Sequence, residues 1–230
     1  MNDVPVGLTR SRRDQAKASY DKMSRWYDAV WWRFQKKLQR TALGDLRAEP
    51  GESVLEIGFG TGHCLMDLAC RVGESGAVCG IDLSQGMAAQ ARHNLSVAGV
   101  LQRVRLAIGD ALRLPYADAS FDAIFICFTL ELFDATEIPV VLRECRRILR
   151  GKGRICIVAM SSGRKTPATR LYAWASKRFP HYVDCRPICA VRSLQAAGFQ
   201  IRAAQEVPLW GLRAQLVVGA EPPDSRAIPV

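Results

Sequence analysis

Metal ligands and close pairs of cysteines are scarce in this chain. Its 230 residues include only three histidines, His63, His93 and His181. The eight cysteines stand singly, at positions 64, 70, 79, 127, 145, 156, 185 and 189, and no C-x-x-C occurs. Zinc sites need a tighter cluster, so no metal centre is expected. Lone cysteines inside apolar segments act as small hydrophobes, and reduced structural thiols are the expectation. Long apolar runs are missing too. The longest, Ala123 to Leu130, is bounded by Asp122 and Glu131 and suits a central strand. A bilayer span needs about 20 apolar residues. The N-terminus is polar and basic and has no signal-peptide core. These absences argue against a zinc site and membrane-spanning helices. The expected location is the cytoplasm, with peripheral contact at the inner membrane face as an extension of that reading.

What is present is a core and a lopsided charge. Apolar residues make up 49% of the chain, enough to bury one full α/β core. The net charge is +10. Residues 1–50 carry 11 Lys/Arg against 6 Asp/Glu; residues 51–150 carry 9 against 12; residues 151–230 carry 12 against 4. The excess of positive charge therefore lies on the two flanks. Such flanks suit an anionic substrate or an anionic surface, and also serve plain solvation.

One stretch organises the rest, Val54-Leu55-Glu56-Ile57-Gly58-Phe59-Gly60-Thr61-Gly62. It reads as a buried strand running into a glycine turn, with a helix opening at His63. Glycines let a ligand approach bare backbone, and a helix N-terminus offers unpaired N–H groups. The dinucleotide fingerprint is G-x-G-x-x-G. Here the third glycine falls one residue early, at Gly62, and an acid, Glu56, precedes the first. A carboxylate there suits an ammonium or sulfonium and repels a diphosphate. The run E-x-G-x-G-x-G resembles the first motif of the class I S-adenosylmethionine-dependent methyltransferases.

Further segments support that resemblance in order. Ala77 to Asp82 reads as a short buried strand with its acid at the carboxyl end, where open α/β sheets bind ligands. Asp82 lies 24 residues after Gly58, near the spacing of a ribose-binding acid. Ser84 suits a helix cap, and Gly99 a helix stop. Val104 to Ile108 reads as a third strand. Gly109-Asp110-Ala111-Leu112-Arg113-Leu114-Pro115 after it resembles the family's G-D-A-x-x-L-P segment. Phe121-Asp122-Ala123-Ile124 matches its fourth strand, with Asp122 structural. By resemblance, Glu56, Gly58, Gly60, Gly62, Asp82, Leu83, Met87, Asp110, Ala111 and Phe128 bind the cofactor. That cofactor is S-adenosyl-L-methionine, and the product is S-adenosyl-L-homocysteine.

The fold expected is a doubly wound α/β sheet of seven strands. It is mostly parallel, with a Rossmann-like order and a C-terminal antiparallel hairpin at Phe199–Val207 and Leu212–Ala220. Strand 5 is expected over Arg154–Met160, after a turn at Gly151 to Gly153. Residues 1–48 are read as an N-terminal helical cap, 49–220 as the cofactor domain, 161–189 as a substrate-side insertion and 221–230 as a tail. Tyr20 to Asp28 resembles the Y/F-D-x-x-A-x-x-Y-D segment that caps the donor site in many relatives. Tyr20, Tyr27, Trp31 and Arg186 are candidate acceptor contacts. Glu131, His181 and Tyr182 are candidate catalytic groups; many relatives carry His or Asn where this chain has Thr129 and Glu131.

The group closest in style is the ubiquinone/menaquinone type, which also includes phospholipid N-methyltransferases. The Arg-Asn pair of quinone C-methyltransferases is absent beyond strand 4. The expected acceptor is a hydrophobic or membrane-associated small molecule, a quinone precursor or a phospholipid headgroup. A soluble metabolite is the alternative. The tetrad of base amino-methylating enzymes is also missing, and no nucleic-acid partner is expected.

Overall fold

The computed structural model describes residues 33–161, 187–209 and 212–222. Seven strands form one sheet: β1 (Ser53–Ile57), β2 (Ala77–Asp82), β3 (Val104–Ile108), β4 (Phe121–Cys127), β5 (Leu149–Met160), β6 (Gln200–Leu209) and β7 (Leu212–Ala220). Their order is β3-β2-β1-β4-β5-β7-β6. The pairs among the first five are parallel, and β7 runs antiparallel to both β5 and β6. The expected sheet and its closing hairpin are thus present.

Continuous apolar strands are buried on both faces, as parallel sheets require. Val54, Ala123, Phe125, Cys156 and Val158 face one core layer. Their neighbours Leu55, Ile124, Ile126, Ile155 and Ile157 face the other. This two-residue alternation comes from the pleat. The helices α1 (Arg33–Leu46), α2 (His63–Val72) and α3 (Gln85–Val97) cover the first face. The second is covered by α4 (Ile138–Ile148) and α5 (Ala190–Ala196).

α1 buries Leu38, Ala42, Leu43 and Leu46, one stripe at helical spacing. Its end is held from afar. The Arg154 guanidinium on β5 donates to the Leu46 and Arg47 carbonyls and pairs with Glu52 at 2.6 Å. Beside it, Asp122 accepts the Ser53 N–H at 2.8 Å and pairs with Arg150. This polar cluster marks the amino ends of β1 and β4. The carboxyl ends of β1, β2 and β4 open at the opposite edge, where the strand order reverses. That switch point is where open α/β sheets place ligands.

Strand β5 starts at Leu149, five residues before the expected Arg154. Leu149 pairs with Phe121, and the register then slips before Ala123. Lys152, at φ +71°, takes up the slip, so the expected turn becomes an irregular strand opening.

Candidate functional site

The glycine loop leaves β1 with Gly58, Gly60 and Gly62 all at positive φ. Two of the three are fixed by close approach as well. A Cβ at Gly58 would meet the Thr129 side chain at 2.1 Å, and one at Gly62 would meet Ala91 Cβ at 3.0 Å. Gly60 differs, because a Cβ there would meet no neighbour within 4 Å. Its side of the turn is open cradle. Backbone bonds set the loop's path: Gly58 N–H to Ile81 O at 2.8 Å, and Gly62 N–H to Phe59 O at 2.9 Å. From α3, Asn94 Nδ2 donates to Thr61 O at 3.0 Å. Phe59 lies over Gly80, where a Cβ would stand 2.7 Å from its ring. That contact explains the glycine inside β2.

Asp82, at the carboxyl end of β2, joins the two halves of the site. Its Oδ2 accepts the Gly60 N–H at 2.9 Å, and its Oδ1 accepts the Ser84 N–H at 2.9 Å. A single carboxylate therefore fixes the loop above it and the turn below. Ser84 caps α3, its hydroxyl accepting the Met87 N–H at 3.0 Å, as expected. Met87 is buried, and Leu83 beside it is an exposed large hydrophobic. Asp110 follows β3 and accepts the Leu112 N–H at 3.0 Å, a local turn that presents Ala111. Ala111 is buried in the second core layer.

Glu56 is the site's most unusual group. It is 2% exposed, and its Oε2 has no hydrogen-bond partner. Burial pushes its carboxyl well above the usual carboxylate range. The charges of Asp82 and Asp67 push the same way, and a hydrogen bond with the Cys64 thiol pulls against them. The carboxyl lines a small cleft shared with Gly58 and Gly60, with His63 and Cys64 of α2, and with Cys127 of β4. Gln35 and Gln39 of α1 form its outer wall. Burial raises both the Cys64 and Cys127 thiols well above their ordinary values, so neither is a ready nucleophile.

β4 ends in a strained residue. Phe128 has φ +51°, rare for an aromatic, while its N–H is held by Val158 O at 2.8 Å. The strain lets Thr129 turn back under the glycine loop. Glu131 follows on a short 3₁₀ turn and is 1% exposed. Its Oε1 accepts the Met160 N–H at 3.1 Å, which ties this turn to β5.

The ten expected cofactor residues therefore gather at one end of the sheet, around β1, β2, the turn after β3 and the end of β4. Tyr20, Tyr27, Trp31, His181, Tyr182 and Arg186 lie outside the described residues. Sequence reasoning passed over Gln35 and Gln39. Their signal was two amides four residues apart beside an otherwise apolar stripe. Cys64 and Cys127, read as core, do pack in the first core layer, and both also line the cleft. Among the described residues no cluster of His, Cys, Asp and Glu could hold a metal, and no helix is long and apolar enough to cross a membrane.

The residues present fit S-adenosylmethionine on three counts. A buried acid with one oxygen unbonded faces the cleft, the turn beside Gly60 leaves room, and α2 opens without a side-chain cap. Residues 54–153 match the methyltransferase domain family. A demethylmenaquinone methyltransferase of Mycolicibacterium paratuberculosis is 34% identical over 217 residues, 91% of this chain and 84% of that protein. Another, from Symbiobacterium thermophilum, is 29% identical over 147 residues; the match covers 64% of this chain and 57% of that protein's length. The fold matches the crystal structure of an S-adenosylmethionine-dependent methyltransferase from Aquifex aeolicus. The TM-score there is 0.60 at 21% identity, covering 79% of this chain and 88% of that one. On this ground the chain belongs to the class I S-adenosylmethionine-dependent methyltransferases, in the ubiquinone/menaquinone group.

Proposed function

We propose that this protein methylates a hydrophobic or membrane-associated small molecule, of the quinone-precursor or phospholipid-headgroup type. One observation carries the reading: the 34% identity to a protein named demethylmenaquinone methyltransferase runs across 91% of the chain, flanks included. The acceptor contacts are expected in those basic, aromatic flanks, at Tyr20, Tyr27, Trp31 and Arg186, with residues 1–48 serving as the cap. Gln35 and Gln39 in the cleft wall support a cap on that side.

When bound, the cofactor supplies an electrophilic sulfonium methyl. Glu56 and the Gly58–Gly62 turn would hold its amino-acid end. Asp82 would accept from the ribose hydroxyls. Leu83, Met87, Asp110 and Ala111 would enclose the base, and Phe128 would close the β4 side. The chain's main contribution is orientation, and well-placed reactants can save on the order of 7–11 kcal/mol. A water-poor pocket helps, because charge disperses as a neutral nucleophile meets a cation. An acceptor that loses a proton during transfer needs a base as well. Glu131, His181 and Tyr182 are the candidates.

The test follows methyl label from S-adenosylmethionine into a cell extract separated into lipid, aqueous small-molecule and nucleic-acid fractions. Label in the lipid fraction is expected. Label confined to the aqueous fraction would replace this acceptor with a soluble metabolite. A sedimentation assay with anionic vesicles at low salt checks the peripheral contact. No co-sedimentation would remove that part of the reading.

A further inference from the structure

We propose that Glu56 carries a proton while the site is empty and gives it up to solvent when a cationic ligand occupies the cleft, so that donor binding is coupled to release of one proton. The proposal rests on the reading of this cleft as the S-adenosylmethionine site.

The geometry around Glu56 carries it. The side chain points from the middle of the sheet, its register partners being Gly80 on β2 and Phe125 on β4. It is 2% exposed, and its Oε2 meets no donor. An ionised carboxylate has about four acceptor sites and is costly to bury without a counter-charge. The titratable groups facing it from each packed element are Asp82 of β2, Asp67 and Cys64 of α2, and Cys127 of β4. His63 lines the same cleft, and α1 contributes two neutral amides, Gln35 and Gln39. Among the described residues none of the groups that act on its carboxyl is an arginine or lysine. Among the described residues the charges that act on it, those of Asp82 and Asp67, are both negative. A carboxyl so placed keeps its proton.

A ligand with an ammonium or sulfonium supplies the missing counter-charge. The favoured form of the carboxyl then reverses: the O–H bond breaks, the proton leaves to buffer, and a carboxylate faces the cation. No oxidant or second reactant is involved. Neutral Glu56 also spares the empty protein a buried charge beside Asp82. The site therefore discriminates by charge: a neutral analogue of the donor leaves the proton in place and gains no ion pair.

The test is calorimetric titration of the intact chain with S-adenosylmethionine and with S-adenosylhomocysteine, in buffers of differing ionisation enthalpy. A pH of about 6 keeps ligand amines protonated, because α-amino groups titrate at about 7.7–8.0. Close to one proton released per chain is expected. While Glu56 is protonated in the free protein, affinity should tighten about tenfold per pH unit. Glu56→Gln mimics the neutral carboxyl, so it should bind more weakly, release no proton and lose the pH dependence. Release with both ligands supports the proposal with the ammonium as the partner. Release with S-adenosylmethionine alone supports it with the sulfonium. The infrared band of a protonated carboxyl should be present in the empty protein, bleach on binding and be missing from E56Q. Normal binding with buffer-independent heat would overturn the proposal, as would unchanged release from E56Q. Should E56Q not fold, His63→Asn serves instead: release that vanishes there assigns the proton to His63 and refutes Glu56. No binding of either ligand is a separate result, which defeats the cofactor reading itself.

Discussion

At the scale of single residues, the glycine loop divides its work unevenly. Gly58 has both positive φ and Thr129 pressed against it, so Gly58→Ala adds strain and a clash together. We expect a loss on the order of 2–4 kcal/mol in stability, read by denaturant unfolding. Gly60 shares the positive φ but faces open space. Gly60→Ala should cost about 1–2 kcal/mol in stability and weaken donor binding out of proportion to that, since the new methyl fills the cradle. Equal effects of the two variants on stability would contradict this division. Asp82→Ala removes the acceptor for two backbone N–H groups, at Gly60 and Ser84. Donor affinity should fall about 10- to 100-fold, the equivalent of about 1.4–2.8 kcal/mol. Unchanged affinity would end the assignment of Asp82 to the cofactor. Glu131→Gln keeps an acceptor for Met160 N–H and removes the titratable carboxyl. If Glu131 is the base, turnover drops by about 10²-fold or more with donor binding intact. Unaltered turnover shifts the role to His181 or Tyr182.

At the scale of elements, the outer wall of the cleft belongs to a helix with an unusual tether. α1 presents Gln35 and Gln39 to the cleft while its other end is fixed by Arg154 on β5. Arg154→Met leaves the Leu46 and Arg47 carbonyls and Glu52 without that donor. A stability loss on the order of 2 kcal/mol follows, with weaker donor binding as the wall loosens. Loss of stability with full donor affinity would separate the tether from the site. This link was not legible in the sequence, because 108 positions separate Arg154 from Leu46 and no local pattern joins them. The strands were legible for the opposite reason. Short runs such as Ala77–Asp82 are apolar on both faces and end in turn residues, so length and composition alone define them. The start of β5 was misjudged because Gly151 and Gly153 signal a turn, while Lys152 at positive φ lets the ladder continue. The glycine turn after β1 was readable from spacing. The cleft's other lining was not, since a cysteine in an apolar run looks the same whether it packs or borders a cavity.

At the scale of the whole molecule, the two ends of the sheet respond to acid with opposite sign. At the amino end, burial raises Glu52 and Asp122, but the hydrogen bonds with Arg154 and Arg150, a backbone N–H on each carboxylate and the arginine charges together outweigh it, and both sit below their ordinary values. Groups depressed by folding add stability above their unfolded range, about 4.5 and 3.8, and lose it as pH falls. At the carboxyl end Glu56 is raised, so its contribution is full below about 4.5 and is lost as pH rises through its folded value. The empty protein should therefore lose stability on both sides of an optimum in the mildly acidic range. Thermal unfolding across pH checks this. E56Q should abolish the decline on the neutral side and leave the acid limb unchanged.

The packing of α1 also sets a timetable for the nascent chain. This helix leaves the ribosome before any described strand, yet its apolar stripe rests on β4, β5 and β7, and its tether is a residue of β5. Until those strands emerge, its buried face has only α2 to settle on. The glycine turn, Asp82 and Glu56 are synthesised midway and wait with one wall missing. Donor capture is thus deferred to the end of translation, and the first described helix to be made is among the last to be secured.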